Sequence, residues 1–213
     1  MLTGHYAPAI ALHRLTPTAP LWAYLLAAQA VDVAFMLLGL FNIESAALSN
    51  DVPRLVVTAG VWTHSLPATA AWSLAAAALT YAILRNARAA ATIAACVASH
   101  WLTDYFVHTP DLPLGFTQHP AVGLGLWLHP PWAWALECGL LLAAAAFLAP
   151  TLQGTAKRRL WSLVIGLLVL QTLSEFVIPT PPTFAELAAS ALAVYTAVAW
   201  LGSRIDAAKA AAT

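Results

Sequence analysis

Charge is what this sequence lacks. Asp, Glu, Lys and Arg make up 8% of its residues, against about 25% in an ordinary soluble domain. Hydrophobic residues make up 61%, and the mean hydropathy is +0.77. A chain of 213 residues with so few charges cannot clothe a water-facing surface, so its solvent is lipid. The formal net charge of zero excludes an electrostatic nucleic-acid binder. Lysine is scarcest: Lys157 and Lys209 are the only two, both outside the apolar runs, which excludes a retinal Schiff base. Cys96 and Cys138 lie inside apolar runs with no ligand spacing between them, which reads as core packing. The N-terminus has no basic region, and Pro8, Pro17 and Pro20 break its first apolar run. A cleaved leader is therefore not expected, and the mature chain is expected to start near Met1. No repeat, low-complexity tract or soluble segment interrupts the sequence, which reads as a single membrane domain over 1–213.

Hydropathy divides that domain into an all-α integral membrane protein of about six transmembrane helices. Residues 5–15 are apolar but shorter than the roughly 20 residues that a span needs, which predicts a re-entrant or half-membrane helix ahead of the first span. The spans fall at about 21–41, from the region of Pro67 to 84, 89–108, 131–148, 160–178 and 184–201. The stretch before Pro67, LVVTAGVWTHSLP, is broken by His64, Ser65 and Pro67 and is a second candidate for re-entry. Arg14, Arg85, Arg88, Lys157–Arg159, Arg204 and Lys209 all mark one side under this count, and Arg54 marks the other. The positive-inside rule makes that basic side, with the C-terminus, cytoplasmic.

Against this apolar background one segment stands out. In SHWLTDYFVHTPDLP, residues 99–113, the positions of His100, Asp104, His108 and Asp111 are spaced 4, 4 and 3. At about 100° per residue they share one helical stripe. Asp32 lies near the middle of the first span, where an unpaired carboxylate costs about 2.5–3.5 kcal/mol on insertion scales. If residues 5–15 fold back along that span about a turn between Thr18 and Ala19, His5 meets Asp32 at one depth. His64 approaches from the outer side. At 1.5 Å rise per residue, His100 lies roughly 17 Å and Asp104 roughly 23 Å from the basic end of their helix, so the stripe begins mid-membrane.

Buried carboxylates need partners, and here the available partners are imidazoles or a metal rather than guanidinium groups. His5, Asp32, His64, His100 and Asp104 are therefore the candidate metal ligands. His108 and Asp111, beside the helix-ending Pro110, read as the rim of the site. Those two and Glu137, a lone acid in the fourth span, are the candidate catalytic acids or bases. A metal-free proton network is the alternative use of the same residues. A mixed histidine–carboxylate set suits Zn²⁺ best, with Mn²⁺ or Fe²⁺ open.

The order of these elements resembles the bacterial and archaeal inner-membrane metal-dependent hydrolases described as LexA-binding. The matching motifs are GHYAPAIALHR with His5, AVDVAF with Asp32, VWTHS with His64, and SHWLTD with His100 and Asp104. The likeness covers residues 4 to about 140, and the last two spans, 160–201, match nothing in the pattern. Ala30 to Val33 lacks the proline and second acid of the family's P-D-x-D, and Ala59-Gly60 stands where it has His-Arg. The resemblance implies a prokaryotic inner-membrane hydrolase, analogous to zinc phospholipase C-like helical enzymes.

Composition, stripe and resemblance together predict a membrane-embedded hydrolase that cleaves an ester or phosphoester of a lipid-like or small-molecule substrate. Its partners would be membrane lipid and that substrate, with no nucleic acid and no oligomeric state specified. Two other uses fit the same residues: a transporter or ion-conducting protein with a polar pathway, and a non-enzymatic scaffold or regulatory partner built on small-residue helix faces.

Overall fold

The computed structural model describes residues 1–211, which form eight α-helices, two short β-hairpins and two single 3₁₀ turns. The helices are α1 (Tyr6–Leu15), α2 (Leu21–Ala28), α3 (Ala30–Leu40), α4 (Leu66–Leu84), α5 (Ala87–Val107), α6 (Pro130–Leu148), α7 (Gly154–Phe176) and α8 (Phe184–Ala210). Helices α4, α6 with its 3₁₀ extension, α7 and α8 are long and apolar enough to cross a membrane. Helices α2 and α3 are bent by 51° at Gln29, and count as one further span if taken together. Six spans are thus not reached. The shortfall lies in α5, which has the length, 21 residues, but carries Arg88, Ser99, His100, Thr103 and Asp104. The polar residues that make it interesting are the ones that lower its hydropathy.

Helix α1 has 10 residues and buries Tyr6, Ala7, Ala9 and Ile10 against α2, α5 and α6. It folds back on α2 through the turn at 16–20, so His5 returns to the level of Asp32 as the hairpin reading expects. The Asp206 carboxylate of α8 accepts the free N–H groups of Leu21 and Trp22, capping α2. Arg159 donates to the carbonyl of Arg204, so the ends of α7 and α8 meet on that same side. The α4–α5 turn completes it: Arg85 ends α4 in the left-handed conformation (φ 49°), and Asn86 caps α5 by accepting from Arg88 and Ala89.

The opposite end is closed by irregular structure. Strands β1 (Ser45–Leu48) and β2 (Leu55–Ala59) pair antiparallel, and β3 (Leu112–Pro113) pairs with β4 (Ala121–Val122). Residues 55–59 are therefore a strand and not part of a span or re-entrant helix. Their β-branched Val56, Val57 and Thr58 favour extension, and Val57 buries its side chain in a cluster with Phe35, Met36, Ala191 and Tyr195. The second span starts only at Leu66, where Ser65 accepts from Ala68 and Pro67 fits the first turn. Asn50 and Ser49 of the β1–β2 loop bond Thr180 in the α7–α8 connection, and Thr183 with Glu186 forms a capping box at the start of α8. Gly39 lets α8 dock: a Cβ there would lie 2.1 Å from the Phe184 ring.

Candidate metal centre

Four segments deliver the polar side chains to one point inside the bundle. His5 stands at the start of α1, Asp32 in the first turn of α3 just after the bend, and His64 in the turn before α4. His100 and Asp104 sit one turn apart on α5, and His108 caps that helix. All are buried. His64 Nε2 is 3.3 Å from Asp32 Oδ1 and 3.8 Å from Asp104 Oδ2. His100 Nε2 is 3.4 Å and 3.1 Å from the same two oxygens. On the other side of Asp104, Oδ1 lies 3.1 Å from His5 Nε2, 3.6 Å from His108 Nε2 and 2.5 Å from the α-amino group of Met1. The His5 and His100 rings stack with centroids 3.7 Å apart.

The far side of each ring fixes its tautomer. His100 Nδ1 faces the Ala28 carbonyl at 2.8 Å, which can only accept. His5 Nδ1 faces Thr103 Oγ1 at 2.8 Å, and that hydroxyl gives its own proton to the Ser99 or His100 carbonyl. His64 Nδ1 faces Thr63 Oγ1 at 2.8 Å, and Thr63 donates to Glu44 Oε2 at 2.6 Å. His108 Nδ1 faces Asp111 Oδ1 at 3.0 Å. In each case the Nδ1 partner suits a donated hydrogen, which turns Nε2 inward towards the carboxylates. This is how metal-ligating histidines are held.

The Nε2 atoms of the rings therefore face the two carboxylates at the centre. His5 Nε2, His100 Nε2 and Asp104 Oδ2 are buried with no hydrogen-bond partner among the described residues. They come within 3.1 Å of oppositely placed acceptors without hydrogen-bond geometry. Orphaned buried polar atoms of this kind are costly, and a shared proton or a metal cation among them removes the cost. The donor set fits one: a tetrahedral zinc ion with bonds of about 2.0–2.1 Å has ligand–ligand edges of roughly 3.3 Å. The four imidazole–carboxylate separations around Asp32, His64, His100 and Asp104 are 3.3, 3.8, 3.4 and 3.1 Å. Two triads, His64–His100–Asp104 and His5–Asp32–His100, bring their ligand atoms within 4.8 Å of one another.

The three candidate acids or bases are placed differently from one another. His108 and Asp111 are buried rather than at a solvated rim. Asp111 holds His108 with one oxygen and accepts from the Val57 N–H of β2 with the other, at 2.7 Å. Glu137 is engaged elsewhere: its Oε2 accepts from the backbone N–H groups of Leu2, Thr3 and Gly4 at 2.9, 3.0 and 3.1 Å. It anchors the segment that presents His5.

Sequence reasoning passed over several residues that complete the centre. Glu44, in a polar loop, is 2% exposed and accepts from both Trp62 and Thr63 backbone N–H groups as well as the Thr63 hydroxyl. The Tyr195 hydroxyl donates to Asp32 Oδ2 at 3.1 Å. Gln29 and Gln171 hold Leu2 and Thr3. No local spacing linked any of them to the motifs, although each is a polar group in or beside an apolar span.

A cavity of about 340 Å³ opens beside the centre. Asp32, His64 and His108 form its inner wall, and Arg54 lies near its mouth, donating to the carbonyls of Ser174 and Ile178. Compared with family models, curated proteins and solved structures, the chain finds no match.

Proposed function

We propose that the protein is a membrane-embedded, metal-dependent hydrolase acting on an ester or phosphoester of a lipid-like substrate. The observation that carries this reading is the convergence of four inward Nε2 atoms on two buried carboxylates, at the edge lengths of a divalent-metal site. His64, His100, Asp32 and Asp104 would hold the ion, with His5 completing the set; zinc suits the donors best, with manganese or iron open. Bound there, the ion supplies Lewis acidity, which acidifies water and polarises the oxygen of the scissile group.

The chain's own residues supply the rest. His108 lines the cavity beside Asp32 and His64, so it accepts the proton of the attacking water and returns it to the leaving oxygen. Asp111 positions that ring and steadies the imidazolium formed in between. Tyr195 orients Asp32, Glu44 through Thr63 orients His64, and Glu137 holds the strand of backbone before His5. The bundle below the centre, lined by Tyr24, Leu25, Val97, Leu141 and Leu148, is apolar and excludes water. That plug favours a closed reaction centre over a conduction pathway.

The resemblance to the inner-membrane hydrolases supports the same reading and would place the chain in a prokaryotic cell membrane with its C-terminus and basic side in the cytoplasm. The test is hydrolysis of a fluorogenic fatty-acyl ester and of phosphatidylcholine by the purified protein in mixed micelles. Activity removed by chelation, restored by Zn²⁺ and abolished in His100→Ala supports it; turnover that ignores both overturns it.

A further inference from the structure

We infer that the substrate's acyl chain lies in a groove between α7 and α8, so that the centre takes a two-part ligand: a lipid whose tail is seated in the bundle wall. This rests on the hydrolase reading for the fate of the lipid, though the seating itself does not. The cavity that begins at Asp32, His64 and His108 turns apolar as it leaves the centre, running past Phe35, Leu187, Ala191 and Val194. A second groove, of about 470 Å³, shares Leu170 and Val194 with it and continues between the two helices past Gly166 and Ala197 to Arg159 and Arg204. Laid end to end through Leu170 and Val194, the two would form one track from the polar centre towards the basic side.

Three features fix an acyl chain as the occupant. The lower groove lies on the outer face of helices that are apolar enough to span a membrane, so hydrocarbon chains of the bilayer are its immediate surroundings. Small residues make the room: Gly166 has nothing within 4 Å of where its Cβ would stand. The polarity of the track matches a lipid of the leaflet opposite the basic side. Its head end meets Arg54 and the polar loops, its ester region meets the centre, and its tail runs inward. From Ala191 to Leu201 the track follows α8 for roughly 15 Å at 1.5 Å per residue.

The experiment is photo-crosslinking in vesicles of phosphatidylcholine containing a small fraction of the same lipid with a diazirine on one acyl chain. Peptide mapping is expected to place the label on α7 and α8 around Leu170, Ala191 and Val194. Two variants, Ala191→Trp and Gly166→Phe, block the track at separate points, and each is expected to reduce that label several-fold. Val169→Trp, on an exposed face of α7 outside both grooves, leaves it unchanged. Label spread equally over the lipid-facing residues of α4, such as Leu74, Leu79 and Ile83, or unaltered by a blocking variant that remains monodisperse, overturns the proposal. The probe needs no turnover: label in the track of a protein that binds no metal sinks the hydrolase alone, and metal binding with scattered label sinks the track alone.

Discussion

His100 Nε2 and Asp104 Oδ2 lie 3.1 Å apart, one helical turn from each other, with neither atom in a hydrogen bond. The Ala28 carbonyl accepts from Nδ1 on the ring's far side. The α-amino group of Met1 meets the other oxygen of Asp104, so Oδ2 and the facing Nε2 are the atoms left to share a proton or a metal ion, and around that pair the rest of the centre is arranged. The consequences can be measured one residue at a time.

The Glu44–Thr63–His64 chain should matter to a metal that neither Glu44 nor Thr63 touches. Thr63→Val removes the acceptor for His64 Nδ1–H while keeping the side chain's shape. Loss of such an outer partner typically costs 10–100-fold in metal affinity, so zinc affinity measured by competition with a chelating dye should fall by about that factor. Thr63→Ser, which restores the hydroxyl, should return most of it. An unchanged affinity in Thr63→Val would show that the ring is not held for a ligand.

His108 and Asp111 should separate chemistry from binding. His108→Ala is expected to retain metal while lowering kcat by about 10²–10⁴-fold, the usual range for a lost acid–base group. Asp111→Asn should give a smaller loss, because the ring stays in place with weaker support for its charged form. Loss of bound metal in His108→Ala would move that histidine from proton transfer to ligation.

Glu137 should behave as a structural anchor. Glu137→Ala leaves the buried N–H groups of Thr3 and Gly4, and the half-buried one of Leu2, without their acceptor, at about 1–3 kcal/mol for each buried group left unsatisfied. A drop in thermal stability in detergent is expected, with His5 losing its position. Glu137→Gln keeps one acceptor oxygen and should retain activity. Abolished turnover in a Glu137→Gln protein of normal stability would restore it to the role of catalytic base.

Acid should release the metal. Each imidazole ligand must be unprotonated at Nε2, so protons compete with the ion for the same atoms. Apparent affinity, measured by competition with a chelating dye, should fall steadily as the pH is lowered. An affinity that does not change with pH would argue against histidine ligation.

Much of this centre could be read from the sequence because helical spacing is a strong constraint. His100 and Asp104 are four residues apart on a helix, so they share a face whatever surrounds them. The α1–α2 hairpin was legible for a similar reason: a run too short to span, followed by Pro17 and Pro20, has to turn back, and that turn brings His5 to Asp32. The reading failed where contacts are non-local. Leu55–Ala59 looks like apolar helix until its pairing with Ser45–Leu48 supplies the backbone partners. Glu44 and Tyr195 reach the centre across 19 and 163 residues of chain, distances that no local pattern spans. Glu137 was recognised as a buried acid, but its use as an anchor for Leu2, Thr3 and Gly4 depends on where the first residues thread. The sixth span, at α5, is not reached by length and hydropathy because its candidate ligands are themselves polar.

The most direct test of the central claim is elemental analysis of the protein purified in detergent without added metal or chelator, alongside Asp104→Ala and Glu137→Gln. Near-stoichiometric zinc, or manganese or iron in its place, should accompany the unaltered protein and Glu137→Gln and be lost from Asp104→Ala. Metal absent from the unaltered protein even after incubation with Zn²⁺, or equally abundant in Asp104→Ala, would contradict the account.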